Sequence, residues 1–160
     1  MDNNTTNAPK NEVNYEQEQE QARVNRRQWF RLAKMGMSDF ANEYATETAQ
    51  WTPGMHRSIP KVVEARKTLM QVAAPIANLP EESQMWSECV ALIADSFFYE
   101  NRYVEALALY ELVKEKLLTD KVLMDSLRRY ADAHFAAGMF KEAALLYREV
   151  IVKQVAEQLL

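Results

Sequence analysis

Residues 86 to 151 write one helical-hairpin pattern twice, at an offset of 37 residues. A tandem of that kind restricts the chain to a short menu of all-helical repeats. In the first copy Trp86, Val90, Ile93, Ala94 and Phe97 fall at i, i+4, i+7, i+8 and i+11, one face of a helix. A polar corner, Glu100-Asn101-Arg102, follows, and a second stripe through Tyr103, Ala106, Leu107, Tyr110, Val113 and Leu117 predicts the return helix. The second copy repeats the layout with Leu127, Tyr130, Ala131, His134 and Phe135, a corner at Gly138, then Phe140, Ala143, Ala144, Tyr147, Val150 and Ile151.

With the corners Asn101 and Gly138 aligned, small residues recur at Ala94 and Ala131 and at Ala106 and Ala143, and aromatics at Tyr110 and Tyr147. In these positions both copies resemble the tetratricopeptide repeat. They depart from it where Val90 and Leu127 stand in place of its commonest Trp, where His134 replaces an aromatic, and where no Pro follows either return helix. The extra length places about three added residues at Leu118-Thr119-Asp120. The resemblance implies a right-handed helical-hairpin solenoid of six or seven helices that binds proteins and carries out no chemistry. The stretches AKMGMSDFANEY and ALIADSFFYENRYVEALALYELV are also similar to the N-terminal region of the tetratricopeptide subunits of the anaphase-promoting complex, which implies a dimerising scaffold arm with a part in the cell cycle.

Composition agrees with an all-α chain. Nearly half of the 160 residues are apolar, only three are Gly, and strand-like alternation is missing. The length fits a single domain that needs no disulfide staples. A net charge of −4 argues against a nucleic acid or an anionic membrane as partner of the whole molecule. The single cysteine, Cys89, fits a reducing compartment, and neither a signal peptide nor a membrane-spanning run is apparent, so the expected location is cytoplasmic or nuclear.

Residues 1–14 read as a disordered tail, because an Asn/Thr-rich stretch buries too little to offset its ordering entropy. From Tyr15 good helix formers predict a helix to about residue 50. Gly36 is either a tolerated interruption or the corner of a degenerate third repeat over residues 29–50. Thr52-Pro53-Gly54 ends that element. Ser58 and Pro60 open another, as N-cap and first-turn residue, with Val62, Val63, Leu69, Met70 and Ala73 turned inward. Pro75 and Pro80 punctuate the approach to the first hairpin. The single domain, 15–160, thus holds N-terminal helices over 15–77, which cover one side of the repeats, and hairpins over 81–118 and 121–158.

On the concave face, the family's polar positions fall on Glu88, Asp95, Phe98, Tyr99, Asp125, Arg128, Asp132 and Phe135, a groove suited to a basic or aromatic-rich peptide. With one cation among several acids, it does not match the clamps that hold the C-terminal carboxylate of chaperone tails. No polar helix follows the last apolar stripe, so Val152, Val155 and Leu159 are expected to self-associate, to meet a partner, or to continue into a longer protein. Arg23, Arg27, Arg31 and Lys34 share a helix face beside Trp29 and Phe30, a second reading in which a nucleic acid is contacted. Six basic against five acidic residues up to Lys34 favour a solvated, ion-paired face instead. A third reading is a small chaperone for one partner subunit. Cys89 and His134 read as core residues, His56 as isolated; no metal spacing or phosphate loop is present, so neither cofactor nor enzyme is expected.

Overall fold

Apolar stripes at helical spacing account for the packed part of the fold, from Phe30 onward. The computed structural model describes residues 3–46 and 56–159. Among these, seven α-helices follow one another: α1 Asn3–Thr46, α2 Pro60–Ala73, α3 Ser83–Tyr99, α4 Tyr103–Leu112, α5 Lys114–Thr119, α6 Met124–Ala136 and α7 Phe140–Leu159. No strand is present among the described residues. One continuous core runs from Phe30 on α1 to Val150 on α7.

α1 starts at Asn3, twelve residues before the expected start at Tyr15. Once a helix is nucleated, each further residue adds one hydrogen bond, so a strong segment extends a weak one. Of the two readings of Gly36, the tolerated interruption holds and the corner does not form. Phe30, Ala33, Met37 and Phe40 are all buried on one stripe that crosses Gly36, and only an unbroken helix buries the four together. No third hairpin therefore exists within the described part of residues 29–50. The Thr52-Pro53-Gly54 stop lies outside the described residues.

α2 packs between α1 and α3, burying Val62, Ala65, Arg66, Leu69, Val72 and Ala73. Met70, expected inside, is exposed, because the buried stripe advances through Arg66 and Leu69 to Val72 and Ala73. Ser58 is not the cap either. Ile59 occupies that position without a side-chain bond of its own, and its N–H donates to Glu100 Oε2 at 3.0 Å. Glu100 is also ion-paired to Arg66, both buried, while Arg66 donates to Ser96 Oγ at 3.3 Å and lies 4.2 Å from the Phe97 ring centre. Arg57 adds two bonds to the end of α3, through its N–H to Glu100 O at 2.9 Å and its Nε to Tyr99 O at 2.7 Å. The first hairpin's corner is thus where the α2 start is anchored.

The two hairpins, α3 with α4 and α6 with α7, turn in the same way. Asn101 (φ 61°) and Gly138 (φ 79°) hold the left-handed backbone that Gly and Asn tolerate best. Six-residue caps close both corners, Arg102 N–H to Phe97 O at 2.9 Å and Met139 N–H to His134 O at 2.8 Å. The return helices differ. α4 and α5 are separated at Val113 (φ −120°, ψ 19°), whereas α7 is continuous over 20 residues. The break leaves both Val113 and Leu117 buried, the latter beneath α6. The added residues between the hairpins finish α5 and supply Asp120, whose Oδ1 accepts from Val122 N–H at 3.0 Å.

Candidate functional site

The eight positions expected on a concave face separate into an interior group and an exposed group. Asp95, Phe98 and Tyr99 are buried, with Phe40 edge-on to Tyr99 at 4.9 Å and Tyr103 edge-on to Phe98 at 5.8 Å. Asp95, 1 % exposed, is the joint between the hairpins. It accepts from Tyr110 Oη, from Ser126 Oγ at 2.9 Å and from Arg129 Nη1 at 3.1 Å. Arg129 also stacks 5.2 Å from the Tyr99 ring centre, and Tyr130 meets Tyr110 at 5.2 Å. Burial pushes the Asp95 carboxyl up, against the lowering effect of Arg129 and of the two hydroxyl donors. It pushes the Tyr110 hydroxyl well up too, with the Asp95 charge adding to the effect. A carboxylate with three donors in the interior is a structural tie.

The second copy reproduces half of this joint. Tyr147 Oη donates to Asp132 Oδ1 across the second hairpin, at the position equivalent to Tyr110 and Asp95. The other Asp132 oxygen has no hydrogen-bond or ion-pair partner among the described residues.

The exposed group is Glu88, Asp125, Arg128, Asp132 and Phe135, with Glu88 and Asp132 half-buried. Arg128 is paired to Asp125 at 3.6 Å. Between α1 and the α3–α6 face lies a cleft of about 200 Å³ whose lining includes Lys34, Asn42, Glu88, Asp95, Tyr99 and Asp125. The structure thereby brings one member of the basic stretch, Lys34, into the same cleft as three acids of the expected groove, Glu88, Asp95 and Asp125. The other basic residues diverge. Arg23 pairs with Glu20 at 3.1 Å and approaches Glu82 at 3.9 Å, while Arg27 and Arg31 face solvent. Phe30 is buried and cannot stack on a base; Trp29 is half-exposed.

At the other end, Val152, Val155 and Leu159 are exposed, and Leu145, Ile151 and Phe140 are exposed with them. Phe140, Ala144 and Ile151, whose spacing predicts an inward position, are exposed. In fact Ala143, Leu146 and Val150 carry the buried stripe of α7. A second groove separates α4 and α5 from α7, floored by Tyr130 and His134 and walled by Leu118, Leu145 and Val152. That groove was missed because the separation of α7 from α4 is not encoded in the stripe of either helix.

Cys89 is buried, and desolvation with the Glu88 charge pushes its thiol up to about 12, the opposite of an activated nucleophile. His134 is buried, with Nδ1 3.0 Å from Tyr130 O and its ring edge-on to Tyr130. Among the described residues no cluster of His, Cys, Asp or Glu has the makings of a metal site, and no helix is long and apolar enough to cross a membrane. No protein-family model, no curated protein and no solved structure matches this chain.

Proposed function

We propose that this protein is a non-enzymatic interaction scaffold, a helical-hairpin repeat of the tetratricopeptide type that holds a protein partner or further copies of itself. The observation that carries the reading is the exposed apolar surface of α7, where Ile151, Val155 and Leu159 are all about half-exposed or more, with Leu145 and Val152 on the wall of the groove toward α4 and α5. Contiguous apolar surface of this kind marks protein contact. The repeat assignment is supported by the paired left-handed corners and by the Tyr-to-Asp bonds at equivalent places. The buried polar groups support the absence of chemistry, since Asp95, Glu100 and Arg66 are consumed in holding helices together.

The test is a paired measurement on the wild type and on the Val155→Glu, Leu159→Glu double variant. Solution mass is read by light scattering, and capture of interacting proteins from a lysate by an immobilised chain. The reading expects self-association or capture that the double variant abolishes. A wild type that neither associates nor captures anything sensitive to these residues refutes it.

A further inference from the structure

We infer that the open edge of the second hairpin binds α1 of another copy, giving a head-to-tail chain of molecules. This rests on the scaffold reading and specifies its partner.

The molecule already makes one contact of this kind inside itself. α6 docks on the first hairpin through Ser126, Arg129, Tyr130 and Ala133, at i, i+3, i+4 and i+7. Ser126 and Arg129 share Asp95 Oδ2, Tyr130 packs on Tyr110, and Ala133 is fully buried. The second hairpin offers the equivalent acceptor. Asp132 stands for Asp95 and Tyr147 for Tyr110, each pair joined by the same hydroxyl-to-carboxylate bond. Along α7, Ala144, Ile151 and Val155 continue that surface, all exposed. The Asp132 oxygen that corresponds to the doubly used oxygen of Asp95 has no partner among the described residues.

A helix that fits must present a polar side chain, a cation, a large apolar side chain and another apolar one at the α6 spacing. That spacing recurs on the solvent face of α1 as Gln28, Arg31, Leu32 and Met35. All four are exposed, Leu32 and Met35 well beyond half. Arg31 forms no ion pair among the described residues. Charge and apolar pattern on α1 therefore match the vacant half-joint, and docking would set Arg31 on Asp132 and Leu32 against Tyr147. The two surfaces differ from each other, so a single contact leaves one of them unused on each copy, and from these the chain grows.

Light scattering across protein concentration, from micromolar to near millimolar, tests this with four proteins. The wild type is expected to rise in mass past the dimer without a plateau. Arg31→Glu, a change on a solvent face, and Asp132→Asn, which keeps an acceptor for Tyr147, should each weaken association by about tenfold or more. Arg31→Glu combined with Asp132→Arg should recover it. Circular dichroism confirms that each variant is folded. A wild type that stays monomeric overturns the inference, as does a mass that stops at two, or association indifferent to both single changes. If the wild type is monomeric and lysate capture still depends on Val155 and Leu159, the inference fails while the scaffold reading survives.

Discussion

The first and second hairpins share their construction and differ in their surroundings. Both turn on a left-handed residue, and both tie the return helix to the outgoing one by a tyrosine hydroxyl on an aspartate. Yet Asp95 binds three donors in the interior, whereas Asp132 binds one at the surface. The edge-on pair Phe98–Tyr103 is 5 % and 9 % exposed, and its counterpart Phe135–Phe140 is 48 % and 61 % exposed. Glu100 is buried against Arg66 while its counterpart, Ala137, faces solvent. The repeat pattern thus sets the shape of a hairpin, and the neighbouring helix decides whether a given position is a joint or a surface.

The largest break in this comparison comes from giving the first corner the residue of the second. Glu100→Ala strands the Arg66 guanidinium in the core and removes the acceptor of Ile59 N–H, a loss of about 3–5 kcal/mol in urea unfolding. The reverse change, Ala137→Glu, should stay within about 0.5 kcal/mol. Equal effects at the two corners would contradict the contrast. Asp95→Ala comes next: it leaves Tyr110, Ser126 and Arg129 without their acceptor and should cost about 3 kcal/mol, against about 1 kcal/mol for Asp132→Ala.

The pH dependence sharpens the same contrast through the first hairpin's interior. The folded state holds the Cys89 proton to about pH 12, while the unfolded thiol releases it near its ordinary value of 9.0. The resulting stability is complete below pH 9 and is lost as pH rises through 12, with a slope of about 1.4 kcal/mol per pH unit between them. Urea midpoints across alkaline pH, with Cys89→Ala as reference, measure it; parallel curves for the two proteins would remove the claim.

The smallest effects concern glycine. Gly138→Ala forces a side chain onto φ +79° and should destabilise by about 1 kcal/mol. Gly36→Ala meets nothing within 4 Å and lies inside a helix, so it should stabilise by about 0.5–1 kcal/mol. Thermal melts of the two variants should move in opposite directions, and a destabilised Gly36→Ala would mean that α1 does bend there.

Much of the hairpin geometry was legible because it depends on local chemistry. Asn101 and Gly138 mark the corners through backbone tolerance, and the steps of three and four through Ile93, Ala94, Tyr130 and Ala131 mark inward faces. The role of Asp95 was not legible, since a polar residue on helix A becomes a joint only when another helix brings Ser126 and Arg129 to it. Its signal was nevertheless present in the recurrence of Asp and Tyr at the same two places of each hairpin. Glu100 reads as a corner residue until Ile59 and Arg66, 41 and 34 residues earlier in the chain, are placed beside it. Phe140 and Ile151 fit an inward stripe by periodicity and are exposed because no described element covers that side of α7.

The central claim is that one hairpin's joint is closed and the other's is open and filled by a second copy. Amide hydrogen exchange at low and high protein concentration tests it most directly. The account predicts that α4 stays protected at both concentrations, while residues 144–155 and 27–36 gain protection together as concentration rises. Unchanged exchange in those two segments at concentrations where the protein associates, or protection that rises in only one of them, would contradict it.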